Sequence, residues 1–100
     1  MKSKELIKNL PNTPGVYFFK NKKGGIIYIG KANNLRARTR QYFTREKSRH
    51  PKIKALVSEI ASIDWLECAS PIDALIEEAR QIKKHLPRFN VLLRDDKNYF

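Results

Sequence analysis

The chain has 100 residues and a formal charge of +11 at pH 7, with 21 lysines and arginines against 10 acidic residues. This length leaves room for one domain, and a hydrophobic content of 41% excludes a chain that is disordered throughout. A positive excess of this size predicts a polyanionic partner, and nucleic acid is the first candidate. An anionic membrane surface is disfavoured, because the cations are spread over several elements and not gathered on one amphipathic helix.

The single cysteine, Cys68, excludes an internal disulfide, and no Cys/His spacing is typical of a zinc site. Cys68 lies in an apolar run, so we expect a packed, unreactive thiol. The sequence has neither a signal peptide core nor an apolar run long enough to span a membrane, which predicts a cytoplasmic protein without membrane contact. The charged, aromatic end "RDDKNYF" suggests that residues 1–100 are one domain at the N-terminus of a longer protein.

In the first half of the chain, "KELIKNLP" predicts a short helix or turn. The segments "VYFFK" and "IIYIG" are rich in β-branched and aromatic residues and predict two strands. Because the glycine-containing "NKKGG" joins them, we expect an antiparallel hairpin. From about Asn33 the pattern becomes helical, with Asn33 or Asn34 as the N-cap.

In the second half, "PKIKALVSEIAS" predicts a helix whose buried stripe contains Ile53, Leu56, Val57 and Ile60. The run "DWLECA" predicts a third strand, and "SPIDALIEEARQIKKHLP" predicts the longest helix, capped by Ser70 and ended by its last proline. The run "RFNVLL" is expected to be an extended tail. The order of elements predicts an α+β domain with a small three-stranded, mainly antiparallel sheet flanked by helices.

The basic run after the hairpin can be sorted by helical geometry. If the helix begins near Lys31, Arg38 and Tyr42 both lie within about 20° of the same line, at ~100° per residue. Arg36 and Arg40 lie about 140° and 180° away from that line and therefore face outward. Arg38 is thus either a site cation that meets a counter-charge or an arginine whose stem packs on the core while its head stays in water.

The two strands of the hairpin contribute tyrosines. In "IIYIG", Ile27 and Ile29 share one face and are expected in the core, so Tyr28 is expected on the more polar face or at an edge. Gly30 leaves room for a close approach to the backbone. Tyr17 alternates with its neighbours in the same way. The alternative for both tyrosines is an ordinary structural role, since aromatic residues are common in strands.

The longest helix carries a candidate metal ligand. Its apolar residues recur on one stripe, which is expected to be buried: Leu75, Ala79, Ile82 and Leu86. Glu77 lies about 160° from this stripe and is expected to point outward, whereas Glu78 lies about 60° away, at the rim. A rim carboxylate in so basic a chain suits Mg²⁺, which usually takes one or two carboxylates and keeps several waters. The alternative is a rim salt bridge to Lys83 or Arg80.

Three segments together resemble the GIY-YIG nuclease family: "PGVYFFKNKKGGIIYIGKANNLRARTRQYF", "DALIEEARQIKKHLPRFNVLL" and "RDDKNYF". Residues 15–17 (GVY) correspond to the first signature and residues 28–30 (YIG) to the second. The resemblance extends from about Leu10 to the end of the chain, and the later segments favour the excinuclease branch over stand-alone members. Three positions depart from the residues usual in the family, although none belongs to a motif: Arg80, His85 and Phe89.

The resemblance implies a set of catalytic residues: Tyr17, Tyr28, Lys31, Arg38, Tyr42, Glu78 and Asn90. It implies that Glu78 is the single metal-binding carboxylate, for one Mg²⁺ or Mn²⁺, and that Asn90 supports the site. We expect Tyr28 to act as the base, with Tyr17 or Tyr42 orienting the water. Arginines outside this set are expected on the duplex backbone: Arg36, Arg40, Arg45 and Arg49.

The resemblance implies a metal-dependent DNA endonuclease that makes the 3′-side incision in bacterial nucleotide excision repair. The expected partners are damaged double-stranded DNA and a UvrB-type helicase subunit of the excinuclease. One alternative is a non-catalytic DNA-docking module of a repair protein, which would not need the tyrosines, Arg38 and Glu78. Another is a stand-alone, structure-selective nuclease of the same family.

Overall fold

The computed structural model describes residues 2–44 and 50–94. Arg45, Arg49 and the terminal "DDKNYF" therefore lie outside the described residues. The described elements, in chain order, are α1 (Lys2–Ile7), β1 (Gly15–Lys20), β2 (Ile26–Ala32), α2 (Leu35–Gln41), α3 (Pro51–Glu59), β3 (Ser62–Glu67), α4 (Pro71–His85) and α5 (Arg88–Arg94).

The three strands form an antiparallel sheet in the order β2-β1-β3, which confirms the predicted fold class. The glycine-containing turn joins β1 to β2, and Gly24 takes the positive φ of 83° that this turn requires. In the central strand, Tyr17 is opposite Gly30 on one side and Trp65 on the other. The hairpin thus brings the two signature segments side by side.

Helices cover both faces of the sheet. One face, with Tyr17 and Tyr28, belongs to the main hydrophobic core, to which α2, α3 and α5 also contribute. The opposite face, with Val16 and Ile29, is packed under α4, and both side chains are fully buried. Tyr28 lies in the edge strand β2, as one alternative of the prediction had it, but not on a polar face: its side chain is buried because each face of the sheet has its own helical layer.

Several local predictions are confirmed. Asn34 caps α2 by accepting a hydrogen bond from the Ala37 N–H, and Ser70 caps α4 by accepting one from the Asp73 N–H. The stripe of α3 packs inward, with Val57 half-buried and the other three residues buried. These features depend on neighbours within one or two helical turns, so the local pattern determines them.

The chain after α4 differs from the prediction. Instead of an extended tail, residues Arg88–Arg94 form α5, with Phe89 and Leu93 buried one turn apart. Leu86 ends α4 in the left-handed conformation, with φ of 46°, and the buried Pro87 directly precedes the new helix. This proline therefore precedes a second helix as well as ending the first. The third strand, Ser62–Glu67, also begins two residues before the predicted "DWLECA".

The orientation of α4 corrects another prediction. Leu75 and Leu86 of the expected buried stripe are 51% and 70% exposed, and Ala79 is exposed as well. Glu77 does not point outward: its side chain is only 19% exposed and accepts a hydrogen bond of 2.7 Å from Gln81. The side of α4 that faces the sheet carries the buried Ala74 and the half-buried Glu78, which lies near the Lys31 backbone of β2.

Candidate active site

The site is built on the outer edge of β2. Tyr28 and Gly30 pair with β1, so the backbone groups of the alternating residues Ile29 and Lys31 point away from the sheet. The Asn90 side chain accepts from the Ile29 N–H and donates to the Ile29 carbonyl, both at 2.8 Å. The Glu78 carboxylate accepts a hydrogen bond from the Lys31 backbone N–H. Side chains from α4 and α5 therefore replace a missing neighbouring strand.

A cluster of aromatic side chains lies beside this edge. The Tyr17 and Tyr42 hydroxyls are 2.7 Å apart and hydrogen-bonded, and Tyr28 also hydrogen-bonds Tyr42. The ring centroids of these three tyrosines are 5.9 to 6.3 Å apart. The Arg38 guanidinium hydrogen-bonds the Tyr17 hydroxyl and lies 5.8 Å from the centroid of the Tyr42 ring. Three phenol groups and one cation thus share a single site.

Gly30 makes room for the Tyr17 hydroxyl. A Cβ at position 30 would lie 2.3 Å from the Tyr17 hydroxyl oxygen and 2.4 Å from the adjacent ring carbon, Cζ. Real Cβ atoms essentially never come so close to another heavy atom. The glycine of the second signature therefore lets the tyrosine of the first signature lie against the backbone of β2, which confirms the expected close approach.

Burial keeps the tyrosine hydroxyls protonated. Burial raises the pKa of Tyr17, although Arg38 and the hydrogen bond from Tyr42 oppose the rise. Burial, together with the neighbouring tyrosines, raises the pKa of Tyr42 well above its usual range. Burial lowers the pKa of Arg38, but Tyr17 and Tyr42 outweigh that effect and the pKa is raised overall. At neutral pH the site therefore contains a fixed cation and at least two neutral phenols.

Glu78 brings a carboxylate to the same site. The side chain is half-buried, and burial raises its pKa, while Lys31 and Arg38 act in the opposite direction. In the described residues, no group of three or more His, Cys, Asp and Glu side chains could hold a metal ion. A half-buried carboxylate that faces the site fits the coordination preference of Mg²⁺, which binds one or two carboxylates and keeps several waters.

Most of the predicted catalytic residues lie together at the outer edge of β2. Lys31 does so for a reason that differs from the prediction. Tyr17, Arg38 and Glu78 interact electrostatically with one another. Lys31 lies in β2 and not in the following helix, so its predicted helical angle is wrong. It nevertheless reaches the site because β2 ends there and Glu78 binds its backbone. Asn90 contacts Ile29 and so supports the site through the strand.

The predictions for the outward-facing arginines and for Cys68 are confirmed only in part. Arg40 is exposed, as predicted, but Arg36 is half-buried because its guanidinium donates to the Lys8 carbonyl. Cys68 is half-buried and not fully packed. Burial, with the nearby Glu77 and Asp73, raises the pKa of its thiol, which favours the unreactive thiol that we expected.

Sequence reasoning missed two further residues of α2, one that contacts Arg38 and one that anchors the helix. Gln41 accepts a hydrogen bond of 3.3 Å from the Arg38 guanidinium, and its i+3 spacing on the predicted helix is a signal that could have indicated it. Thr39 is fully buried and donates to the Leu35 carbonyl at 2.8 Å. A threonine in a basic helical run carries no signal of this packing role.

The chain matches the family model of the UvrC-like GIY-YIG domain over residues 13–91. The chain belongs to this family. It is 50% identical to the UvrABC system protein C of Clostridium acetobutylicum over 93% of its own length, and 49% identical to that of Alkaliphilus metalliredigens over 96%. The match spans 15% of the length of each of these relatives.

A solved structure of the UvrC-like family has the same fold. It is the GIY-YIG N-terminal endonuclease domain of UvrC from Thermotoga maritima, bound to magnesium as its catalytic divalent cation. The TM-score is 0.76 at 36% identity, covering 88% of this chain and 94% of that one. Variants of the Thermotoga domain in which one tyrosine becomes phenylalanine, or one asparagine becomes alanine, were also solved with the catalytic divalent cation bound. None of the helices described for this chain is long and apolar enough to cross a membrane.

The contact at Gly30 generates a prediction for this UvrC-like domain. In a Gly30→Ala variant, the methyl group should displace the Tyr17 ring, which breaks the hydrogen bond to Tyr42 and lowers the melting temperature. Overpacking of this kind costs about 1–3 kcal/mol in the free energy of unfolding. Thermal denaturation measures the change. Gly25→Ala is the matched control, because a Cβ there meets nothing closer than 3.4 Å. Equal melting temperatures for the two variants would contradict the account of Gly30.

The raised pKa of Glu78 generates a prediction about stability. A carboxyl whose folded-state pKa is raised contributes stability below its ordinary pKa, and this contribution is lost as the pH rises through the raised value. Glu78→Gln should therefore raise the melting temperature of the metal-free domain at pH 7.5, and this gain should vanish in acid.

Adding Mg²⁺ should then raise the melting temperature of the wild-type domain but not that of the Glu78→Gln variant. Glu77→Gln, which changes the adjacent carboxylate in the same way, should keep the response to Mg²⁺. Differential scanning fluorimetry with and without Mg²⁺ measures both effects. A full Mg²⁺ response in Glu78→Gln would show that the cation binds elsewhere.

Proposed function

We propose that the chain is a metal-dependent DNA endonuclease domain that hydrolyses one phosphodiester bond. The observation that carries this proposal is the convergence of Glu78 with Arg38, Lys31 and the buried phenols at the edge of β2. A module that only docks on DNA needs surface cations, but it has no use for a half-buried carboxylate beside three tyrosine hydroxyls. Hydrolysis of a phosphodiester does use such a set.

Glu78 would hold a single Mg²⁺ or Mn²⁺. When bound, this cation would supply Lewis-acid stabilisation to the charge that develops on the oxygens of the phosphate. The Thermotoga variants support this role for Glu78, because replacing one tyrosine or one asparagine leaves a catalytic cation bound in those domains. Cation binding in this family therefore depends on another group, and Glu78 is the carboxylate of this site.

Arg38 and Lys31 would bind the phosphate. The Arg38 guanidinium is fixed by Tyr17 and Gln41, so its remaining N–H groups can hold two phosphate oxygens without a large loss of side-chain entropy. Lys31 is exposed at the end of β2 and can add a positive charge on the other side of Glu78. These donors act most strongly on the transition state, in which the phosphate oxygens carry more charge.

The tyrosines would handle the attacking water. Because Tyr17 and Tyr42 have raised pKa values, they act as neutral phenols that orient the water and the other hydroxyls. We assign the acceptance of the water proton to Tyr28, the third phenol of the cluster, which would have to lose its own hydroxyl proton first and act as the phenolate. Its hydrogen bond with Tyr42 places it in the same network as Tyr17 and Arg38.

We further propose that this reaction is the 3′-side incision in bacterial nucleotide excision repair. The support is the name of the relatives, UvrABC system protein C, and their identity of about half over nearly the whole chain. The substrate would be damaged double-stranded DNA, handed over by a UvrB-type helicase subunit in the cytoplasm. Since the match spans 15% of those relatives, the chain would be one nuclease domain of a longer protein. The expected backbone contacts are Arg36, Arg40, Arg45 and Arg49.

Cleavage of a lesion-bearing duplex tests the proposal. Arg38→Ala should lower kcat by a factor of hundreds, corresponding to about 3–4 kcal/mol for a lost transition-state donor. Arg40→Ala should raise KM and leave kcat within a few-fold, because Arg40 lies on the opposite side of α2 and is exposed. The measurement is Mg²⁺-dependent incision by the longer protein with its helicase subunit. Equal losses of kcat in the two variants would contradict the assignment of Arg38.

A further inference from the structure

A second positively charged feature lies on the side of α2 away from the tyrosines. A cleft of about 270 Å³ between α1 and α2 is lined by Lys4, Ile7, Lys8, Arg36 and Arg40. Four of these five residues are cations, and no acidic side chain of the described residues lines the cleft. Lys4, Lys8 and Arg40 are exposed, so the cleft is open to a large ligand.

Three hydrogen bonds hold the walls of the cleft in place. The backbone N–H of Arg36 donates to the Pro11 carbonyl at 3.0 Å, and that of Leu35 donates to the Thr13 carbonyl at 2.9 Å. The Arg36 guanidinium donates to the Lys8 carbonyl at the end of α1. These three bonds fix α1 and the loop after it to the first turn of α2, so the spacing of the cations is set.

The charge distribution in the cleft is unfavourable without a ligand. Arg36 and Arg40 are four residues apart on α2 and lie on one helical face, where like charges repel. Lys4 of α1 and Lys8, directly after α1, add two further cations to the same cleft. A polyanion that enters the cleft relieves this repulsion and releases its own counterions.

The position of the cleft relates it to the proposed active site. Arg36 and Arg40 are each two residues from Arg38, so they lie about 160–200° around the helix from it. A helix with its side chains is about 10–12 Å wide, and a DNA strand has one phosphate per ~3.4 Å of axis. The cleft therefore lies on the opposite side of α2 from Arg38, about 10–12 Å across the helix.

We propose that the α1–α2 cleft is a second phosphate-binding surface, which holds the backbone of duplex DNA on the side of α2 away from the scissile bond. It adds Lys4 of α1 and Lys8, which directly follows α1, to the nucleic-acid interface. This inference rests on the proposed function, because both place the DNA across α2. The cleft contributes affinity and register, and it takes no part in the chemical step.

The test compares two double variants with the same charge change. Lys4→Gln/Lys8→Gln removes the lysines of the cleft. Lys22→Gln/Lys23→Gln removes two exposed lysines on the β1–β2 turn, away from the cleft. The dissociation constant for a fluorescent 20-base-pair duplex is measured by anisotropy across a salt series, with EDTA present so that no cutting occurs.

The cleft variant should lose about two units from the salt slope, at about 0.9 per phosphate contact, and should bind on the order of tenfold more weakly near 0.15 M salt. The turn variant should change both quantities by less than half as much. Circular dichroism and melting temperature show whether each variant is folded. Because Lys4 and Lys8 are both exposed, we expect no loss of stability for the cleft variant.

Equal effects of the two double variants, or no binding by the wild-type chain at low salt, would overturn the proposal. Incision of a lesion-bearing duplex with Mg²⁺ is measured separately, with the same substitutions in the longer protein and its helicase subunit. Binding that depends on the cleft without any incision would overturn the proposed function and leave the cleft assignment intact. Incision with equal salt slopes for both variants would overturn the cleft assignment and leave the proposed function intact.

Discussion

The outer edge of β2 is the constraint on which the rest of the site depends. An edge strand leaves every second residue with unpaired backbone groups, and here side chains bind those groups. The side chain of Asn90 in α5 hydrogen-bonds both the N–H and the carbonyl of Ile29, and the carboxylate of Glu78 in α4 interacts with the N–H of Lys31. Two helices are thereby positioned relative to the strand that carries Tyr28. The same interactions complete the sheet and place the carboxylate beside the phenols.

The chemistry of the site follows from where this edge lies in the molecule. On one face of the sheet the tyrosines are buried in the core, which raises the pKa of Tyr17 and Tyr42 and keeps them neutral. On the other side Glu78 is only half-buried, so its carboxylate can replace its interactions with Lys31 and Arg38 by binding a metal ion, while the two cations bind a phosphate. The large positive charge of the chain favours the approach of DNA, whereas the single carboxylate determines where a cation can bind.

Local features of the fold could be predicted from the sequence, and long-range ones could not. The hairpin, the caps Asn34 and Ser70 and the stripe of α3 depend on neighbouring residues and are confirmed. The helical angles that selected Arg38 and Glu78 were measured from Lys31 and from the Leu75 stripe, and the structure places neither where the prediction had it. The buried side of α4 was predicted wrongly because hydrophobicity alone favours the Leu75 side, whereas the side that packs on the sheet carries Ala74 and the half-buried Glu78. The link from Asn90 to Ile29 spans 61 residues, and only the family resemblance pointed to Asn90.

The central claim is that one divalent cation binds at Glu78, next to Arg38 and the tyrosine cluster. Crystals of the chain soaked in Mn²⁺ and measured at the manganese absorption edge test this claim most directly. The account predicts one strong anomalous peak, within coordination distance of a Glu78 carboxylate oxygen and absent from Glu78→Gln crystals. A peak elsewhere in the chain, or an unchanged peak in the variant, would contradict it.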